Sequence, residues 1–429
     1  MGASTEETAC EGENGEKGET GSPARLLEMD TTYFRKGFGL RAAITPELAA
    51  DYASRIVDAV KAREYSLDVG PLRFRLAREF GFCYGVDRAV EYAYEARTKF
   101  PDRRLFLVGE IIHNPHVNRR LEERGISFIR HGPDGRFDFD GITTDDVVIL
   151  PAFGVTIQDF QRLRELGCIV VDTTCGSVLN VWKRVEGYAR DGFSAIIHGK
   201  YWHEETRATA SQVTRYPGGK YLILLDMDEA KPVIDFIQEG GDPTALGERF
   251  LRASSPGFDF SRDLERIGFA NQTTMLAGES LAIATAFRDA MVRRYGAEAE
   301  AQHVRTFDTI CSATQERQDA VVQLLEDPPD LMIVIGGYNS SNTNHLAALC
   351  RRRGVRTVHI EDAACIDPVA GTVRHRDPSR NAETTEEPGG RWLEGVRTVG
   401  VTAGASTPNN KIGEAIALVC ATVGVELEL

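Results

Sequence analysis

Gly81-Phe82-Cys83-Tyr84-Gly85-Val86-Asp87-Arg88-Ala89-Val90 puts a cysteine where a strand-like run hands over to a helical pattern. The hand-over recurs twice. Cys168-Ile169-Val170-Val171-Asp172-Thr173-Thr174-Cys175 leads into Val178, Val181, Val185 and Ala189 at helical spacing. Val304-Arg305-Thr306-Phe307-Asp308-Thr309-Ile310-Cys311 leads into Ala313, Ala320, Val321 and Leu324. After each helical stretch come an apolar strand and a polar turn: 105–108 before His113-Asn114-Pro115, 195–197 before His203-Glu204-Glu205, and 331–335 before Asn339-Ser340-Ser341-Asn342. The intervals are near-equal: Cys83 to His113 is 30 residues, Cys175 to His203 is 28, and Cys311 to Ser340 is 29. A further strand then ends in a small or polar turn three times, at 151–154, 271–274 and 402–406. Such self-similarity predicts one strand-helix-strand unit used three times around a central site with pseudo-threefold symmetry.

The alternation of strands and helices predicts an α/β protein of three similar lobes, each a parallel sheet covered on both faces. Ligands of such sheets sit at the carboxyl ends of the strands, where every turn above and all three cysteines fall. A length of 429 residues with 42% apolar side chains suits about three domains of ~150 residues. The spans expected are an acidic disordered tail (1–30), a helical extension (31–70) and three α/β repeats (71–174, 175–310 and 311–429). Residues 44–66 read as one helix, with Thr45 as N-cap and Pro46 in the first turn. Insertions at 134–145, 239–261 and 366–395 read as surface excursions.

A net charge of −14 argues against nucleic acid as the main partner. No apolar run reaches the ~18 to 20 residues a membrane span needs. Eight cysteines over this length do not make the dense framework of a small secreted domain, and no signal peptide or Arg-rich transit sequence is evident. The expected compartment is the cytoplasm.

Cys168, Cys350, Cys365 and Cys420 read as small apolar residues. Cys83, Cys175 and Cys311 read as a set. Structural zinc wants four ligands, commonly with short-range pairs, and the chain has no C-x-x-C. Three thiolates on a four-iron cluster leave one iron open as a Lewis acid. The turns offer neutral donors, His113, His203, Thr273, Ser340, Ser341, Asn342 and Ser406, which suit a phosphate or diphosphate at helix starts. Glu205, two residues from His203 in a turn facing the site, is the expected proton donor, and Glu204 an ordinary solvated charge.

In combination these motifs resemble the 4-hydroxy-3-methylbut-2-enyl diphosphate reductase family, the last step of the methylerythritol phosphate route to isoprenoids, in its plant and cyanobacterial branch. The carriers are 81–86, 110–115, 151–154, Asp172-Thr173-Thr174-Cys175, His198-Gly199-Lys200-Tyr201 leading to His203-Glu204-Glu205-Thr206, 271–274, 310–318, 339–342 and 402–406. The resemblance implies a trilobed α/β fold around a [4Fe-4S] cluster on Cys83, Cys175 and Cys311. It also implies a substrate diphosphate held by His113, His203, Ser340, Ser341, Asn342 and Ser406, with Glu205 as proton-relay acid and Thr273 orienting the substrate hydroxyl. Phe153 stands where many bacterial members carry a diphosphate-contacting His, and Gly176-Ser177 replaces a Pro-containing pair. The implied reaction removes the allylic hydroxyl as water with two electrons, giving isopentenyl or dimethylallyl diphosphate. Without a convincing G-x-G-x-x-G fingerprint the electrons are expected from an external donor such as ferredoxin or flavodoxin. Two other readings of the residues remain open here: a hydro-lyase using an open iron, and a non-catalytic phosphate-ligand binder with a structural metal.

Overall fold

The computed structural model describes residues 32–132, 135–306, 309–378, 382–385 and 391–427. The acidic stretch 1–30 lies outside them. Three sheets, parallel but for one edge strand, carry the fold. The first runs, in spatial order, Tyr33–Phe34, Ile169–Asp172, Val147–Leu150, Leu105–Val108, Ile126–Ile129, all parallel. The second runs Val304–Thr306, Ile267–Asn271, Ser194–His198, Tyr221–Leu224, again all parallel. The third runs Thr357–Ile360, Leu331–Ile335, Thr398–Ala403, Leu72–Leu76, Ser66–Val69, with only the last strand antiparallel. Strands Ser194–His198, Ile267–Asn271 and Leu331–Ile335 are buried at every position, as strands covered on both faces must be.

The strand before each cysteine does not belong to the sheet that follows it. Leu72–Leu76, ahead of Cys83, pairs with Thr398–Ala403 in the third sheet. Ile169–Asp172, ahead of Cys175, lies in the first sheet, and Val304–Thr306, ahead of Cys311, in the second. The helix after each cysteine packs on the next sheet. Ala89, Val90 and Ala93 join Leu105, Leu107 and Ile149 in one core, and Val181, Val185 and Tyr188 join Ile196 and Phe269 in another. Val321 and Leu324 join Met332 and Val334. Each expected strand-helix-strand run therefore straddles two sheets, because a parallel strand can pair with whichever neighbour is adjacent in space.

The single helix expected at 44–66 is two, Arg41–Tyr52 and Arg55–Ala62, followed by strand Ser66–Val69. Ala53 is extended, and Ser54 restarts the helix by accepting the Val57 amide on its hydroxyl at 3.3 Å. Thr45 is not the cap. Its hydroxyl donates back to the Arg41 carbonyl at 2.7 Å, and the helix begins four residues earlier. The carboxylate of Glu95, 1% exposed, accepts the amides of Phe38 and Leu40 at 2.6 Å each at that helix start, where the helix dipole also favours a negative charge. Within 31–70 the chain thus supplies two helices and an edge strand to each of two sheets. The excursion at 366–395 contains an antiparallel ribbon, Ile366–Asp367, Thr372–Asp377, Ala382–Thr385. Among the described residues no helix is long and apolar enough to cross a membrane.

Replacing Glu95 by Ala strips two part-buried amides of charge-assisted partners worth roughly 1.5 to 3 kcal/mol each. We expect a stability loss of about 3 kcal/mol or more in urea denaturation, with Glu95→Gln losing less. A loss below about 1 kcal/mol in Glu95→Ala would show that the helix start does not depend on this carboxylate.

Candidate active site

Cys83, Cys175 and Cys311 are the N-cap residues of helices Tyr84–Lys99, Gly176–Arg190 and Ser312–Leu324, each in an extended backbone conformation. One hydrogen bond fixes all three in the same manner. The Cys83 amide donates to the Ala405 carbonyl at 3.1 Å, the Cys175 amide to Ala152 at 2.8 Å, and the Cys311 amide to Thr273 at 3.4 Å. The acceptors lie in the three turns that close the third, first and second sheets. The thiols are free and converge. A Cβ added to Gly85 would fall 2.5 Å from the Cys175 sulfur and 3.9 Å from that of Cys83, so only glycine leaves room between them. The Cys311 sulfur accepts the Thr314 amide at 3.3 Å and lies 2.9 Å from the Thr314 hydroxyl. Burial pushes the Cys311 thiol up to about 11 and raises that of Cys83. Helix-start amides and the Arg317 guanidinium oppose the rise at Cys83. Cys168 and Cys350 sit inside two apolar cores, and Cys365 and Cys420 share a third.

A cavity of about 110 Å³ is lined by these three cysteines and by His113, His203, Glu205, Thr273, Ser340, Ser341, Asn342 and Ser406. Every residue expected at the site is therefore in one place. Each polar one follows the carboxyl end of a parallel strand. Ser340 caps helix Ser341–Arg352, accepting the Thr343 amide at 3.3 Å. Asn342 accepts the Ala405 amide at 2.9 Å, and its buried Nδ2 has no partner. The Nε2 of His113 is likewise buried without one. Ser406 donates to the His113 carbonyl at 3.3 Å. Phe153, also in the wall, stacks on the His113 ring at 4.7 Å and 17°, while the Glu110 carboxylate lies 2.9 Å from His113 Nδ1.

His203 caps helix Glu204–Ser211 by accepting the Glu205 amide on Nδ1 at 3.2 Å. Burial, then the nearby His113 and Lys200, hold its pKa well below the usual range, so the ring is neutral and carries its proton on Nε2. That tautomer donates. It also removes His203 as a metal ligand through Nε2, so the cluster His113, His203 and Glu204 does not make a cation site.

Glu205 is buried, 3% exposed, and accepts the Thr273 amide at 2.5 Å. Burial raises its carboxyl to about 7, against the Thr273 bonds and His113, which lower it. Glu204 is partly exposed rather than freely solvated, its carboxylate 3.7 Å from His113 Nε2.

Four further residues gain a role only from their placement in space. Lys200 is half-buried and donates to Ser341 Oγ at 3.0 Å, and burial and Arg376 lower its pKa. Gln272 donates to the same oxygen at 3.2 Å. With both lone pairs engaged, the Ser341 hydroxyl proton is left for another acceptor. Thr314 and Arg317 back the cysteines. All four stand inside motifs quoted above, but sequence does not tell which way a side chain in a turn points.

A family model described as LytB protein matches residues 74–419. The chain belongs to the LytB family. The 4-hydroxy-3-methylbut-2-enyl diphosphate reductases of Thermosynechococcus vestitus and Gloeobacter violaceus are 46% and 48% identical to it, over 91% and 92% of this chain and 95% and 93% of theirs. The E-1-hydroxy-2-methyl-but-2-enyl-4-diphosphate reductase of Plasmodium falciparum matches with a TM-score of 0.60 at 21% identity, covering 81% of this chain and 87% of that one, which shows a shared fold. The LytB family carries a [4Fe-4S] cluster.

In this LytB chain Glu205 holds its proton to about pH 7 when folded, against 4.5 for an ordinary glutamate. Its stabilising contribution is full below about pH 4.5 and is lost as pH rises through about 7. Stability of the cluster-free chain should fall between about pH 5 and 8, by on the order of 3 kcal/mol from this group, and Glu205→Gln should flatten the slope. Denaturant titrations at both pH values check this, and an unchanged slope in the variant would count against it.

Proposed function

We propose that this chain is a 4-hydroxy-3-methylbut-2-enyl diphosphate reductase, converting the (E) substrate to isopentenyl and dimethylallyl diphosphate with a [4Fe-4S] cluster on Cys83, Cys175 and Cys311. The cluster would sit at the centre of three lobes in pseudo-threefold arrangement. The observation that carries this reading is the convergence of three free thiols, each capping a helix and each tethered by the same amide bond, on a cavity walled by anion donors. The residues fit the group: a donor set of three thiols at helix N-termini suits an anionic iron-sulfur centre, and Gly85 keeps the space between two of them open. When bound, such a cluster supplies an iron without a protein ligand, as Lewis acid, and passes on electrons.

The chain's own residues do the rest. His203 Nε2–H, the unpartnered Asn342 Nδ2, and the hydroxyls of Ser340, Ser341 and Ser406 are placed to hold the diphosphate, with His113 Nε2 beside them. Thr273 orients the substrate hydroxyl and, through its amide, Glu205. The reaction takes up two electrons and two protons and releases one water. Glu205, protonated to about pH 7, gives one proton to the departing hydroxyl, and the second ends on carbon. The electrons come from an external one-electron carrier such as ferredoxin or flavodoxin. Requirement for a reductant separates this activity from a hydro-lyase.

Anaerobic purification should give a brown protein with about four irons and four sulfides per chain. Cys83→Ser, Cys175→Ser and Cys311→Ser should each lose iron and turnover, whereas Cys168→Ser, Cys350→Ser and Cys420→Ser should keep both. A colourless protein binding zinc alone would sink the reading.

Glu205→Gln retains the shape of the side chain without its transferable proton. Turnover should fall ~10²- to 10⁴-fold with cluster and substrate binding intact, while Glu204→Gln stays near wild type. Equal losses in the two variants would mean the acid is misassigned. Asn342→Ala should weaken inorganic diphosphate binding by roughly 10- to 150-fold, the equivalent of one charge-assisted hydrogen bond, and calorimetry would measure it.

A further inference from the structure

Arg317 is 3% exposed. Its Nη2 donates to the Gly81 carbonyl at 2.8 Å, its Nε to the same oxygen at 3.3 Å, and its Nη1 to the Ala313 carbonyl at 2.9 Å. Among the described residues no carboxylate lies within ion-pair distance of it. A guanidinium never sheds its charge in a protein, and a buried ion without a counter-charge is strongly unfavourable. Two backbone carbonyls offer only partial charges. The full negative charge has to come from elsewhere.

The bonds themselves show where. Gly81 is two residues before Cys83, and Ala313 is two residues after Cys311. The guanidinium therefore clamps the approach to one cysteine against the first turn of the helix that the other cysteine caps. We propose that Arg317 is the buried counter-cation of the three-cysteine centre and holds its reduction potential up.

This rests on the cluster assignment made above. Taking up an electron adds one negative charge to the centre, so a fixed positive charge beside it favours the reduced form. Because the guanidinium is buried, salt screens its interaction with the centre little. Arg317 touches neither substrate nor reacting atoms. It acts by field and position.

The test is an EPR-monitored redox titration of the anaerobically purified full chain, alongside iron and sulfide counts. Arg317→Gln keeps some donor capacity and removes the charge. Its cluster should titrate at a potential lower by at least 59 mV, a tenfold smaller reduced-to-oxidised ratio at a fixed one-electron potential. Arg317→Lys should restore most of the shift even if it melts earlier, because it keeps the charge and loses the fork. The differences should persist between low and high salt. Equal, wild-type potentials in both variants would reduce Arg317 to a brace and overturn the inference. If Arg317→Gln folds by circular dichroism but takes up no iron, rescue of iron content by Arg317→Lys supports the counter-cation, and failure to rescue overturns it. A wild-type chain without iron and sulfide would instead overturn the cluster reading, a distinguishable failure.

Discussion

The hydrogen bond from each cysteine amide to the turn that closes a sheet, Cys83 to Ala405, Cys175 to Ala152 and Cys311 to Thr273, is the constraint on which the site depends. At each of these points the chain leaves one sheet and starts a helix that packs on another. A parallel strand needs a long crossover before it can pair again, and here the crossover is used to change sheets. The N-cap position then falls at the crossing, where helix-start amides favour negative charge. Three crossings tied to three turns bring three sulfurs together without any disulfide or short-range cysteine pair.

The same arrangement settles the charge balance of the cavity. Its acid, Glu205, is neutral up to about pH 7 because it is buried, and burial also raises the thiols of Cys83 and Cys311. His203 is neutral because burial, then the nearby His113 and Lys200, disfavour its charged form. The wall therefore presents donors more than fixed charges, with Lys200 reaching in behind Ser341. A diphosphate would be recognised by directed N–H and O–H groups in low dielectric, where each such bond is strong and each unmade one costly.

Much of this was legible in the sequence because it is local. A cysteine at a strand-to-helix hand-over, a turn of Ser and Asn before a helix, and near-equal spacings are all visible within thirty or so residues. What was hidden is non-local. Nothing near Leu72–Leu76 says that its partner is Thr398–Ala403 at the other end of the chain, so the sheet change was invisible. The start of helix Arg41–Tyr52 is marked by Glu95 from another helix, while Thr45 and Pro46 give a locally convincing but misplaced cap signal. Lys200 and Arg317 were in plain view as letters. Their meaning lies in direction, toward Ser341 in one case and toward Gly81 in the other.

Phe153 lines the cavity beside His113. It offers no hydrogen bond, yet its ring lies flat on His113 and, with Glu110 on Nδ1, fixes the plane of that imidazole. Its Nε2 is buried without a hydrogen-bond partner, 3.7 Å from the Glu204 carboxylate. The two histidines are therefore held in different ways. Burial, ahead of the nearby His113 and Lys200, keeps His203 neutral while its Nδ1 caps a helix, and a stacked ring and a carboxylate fix the plane of His113.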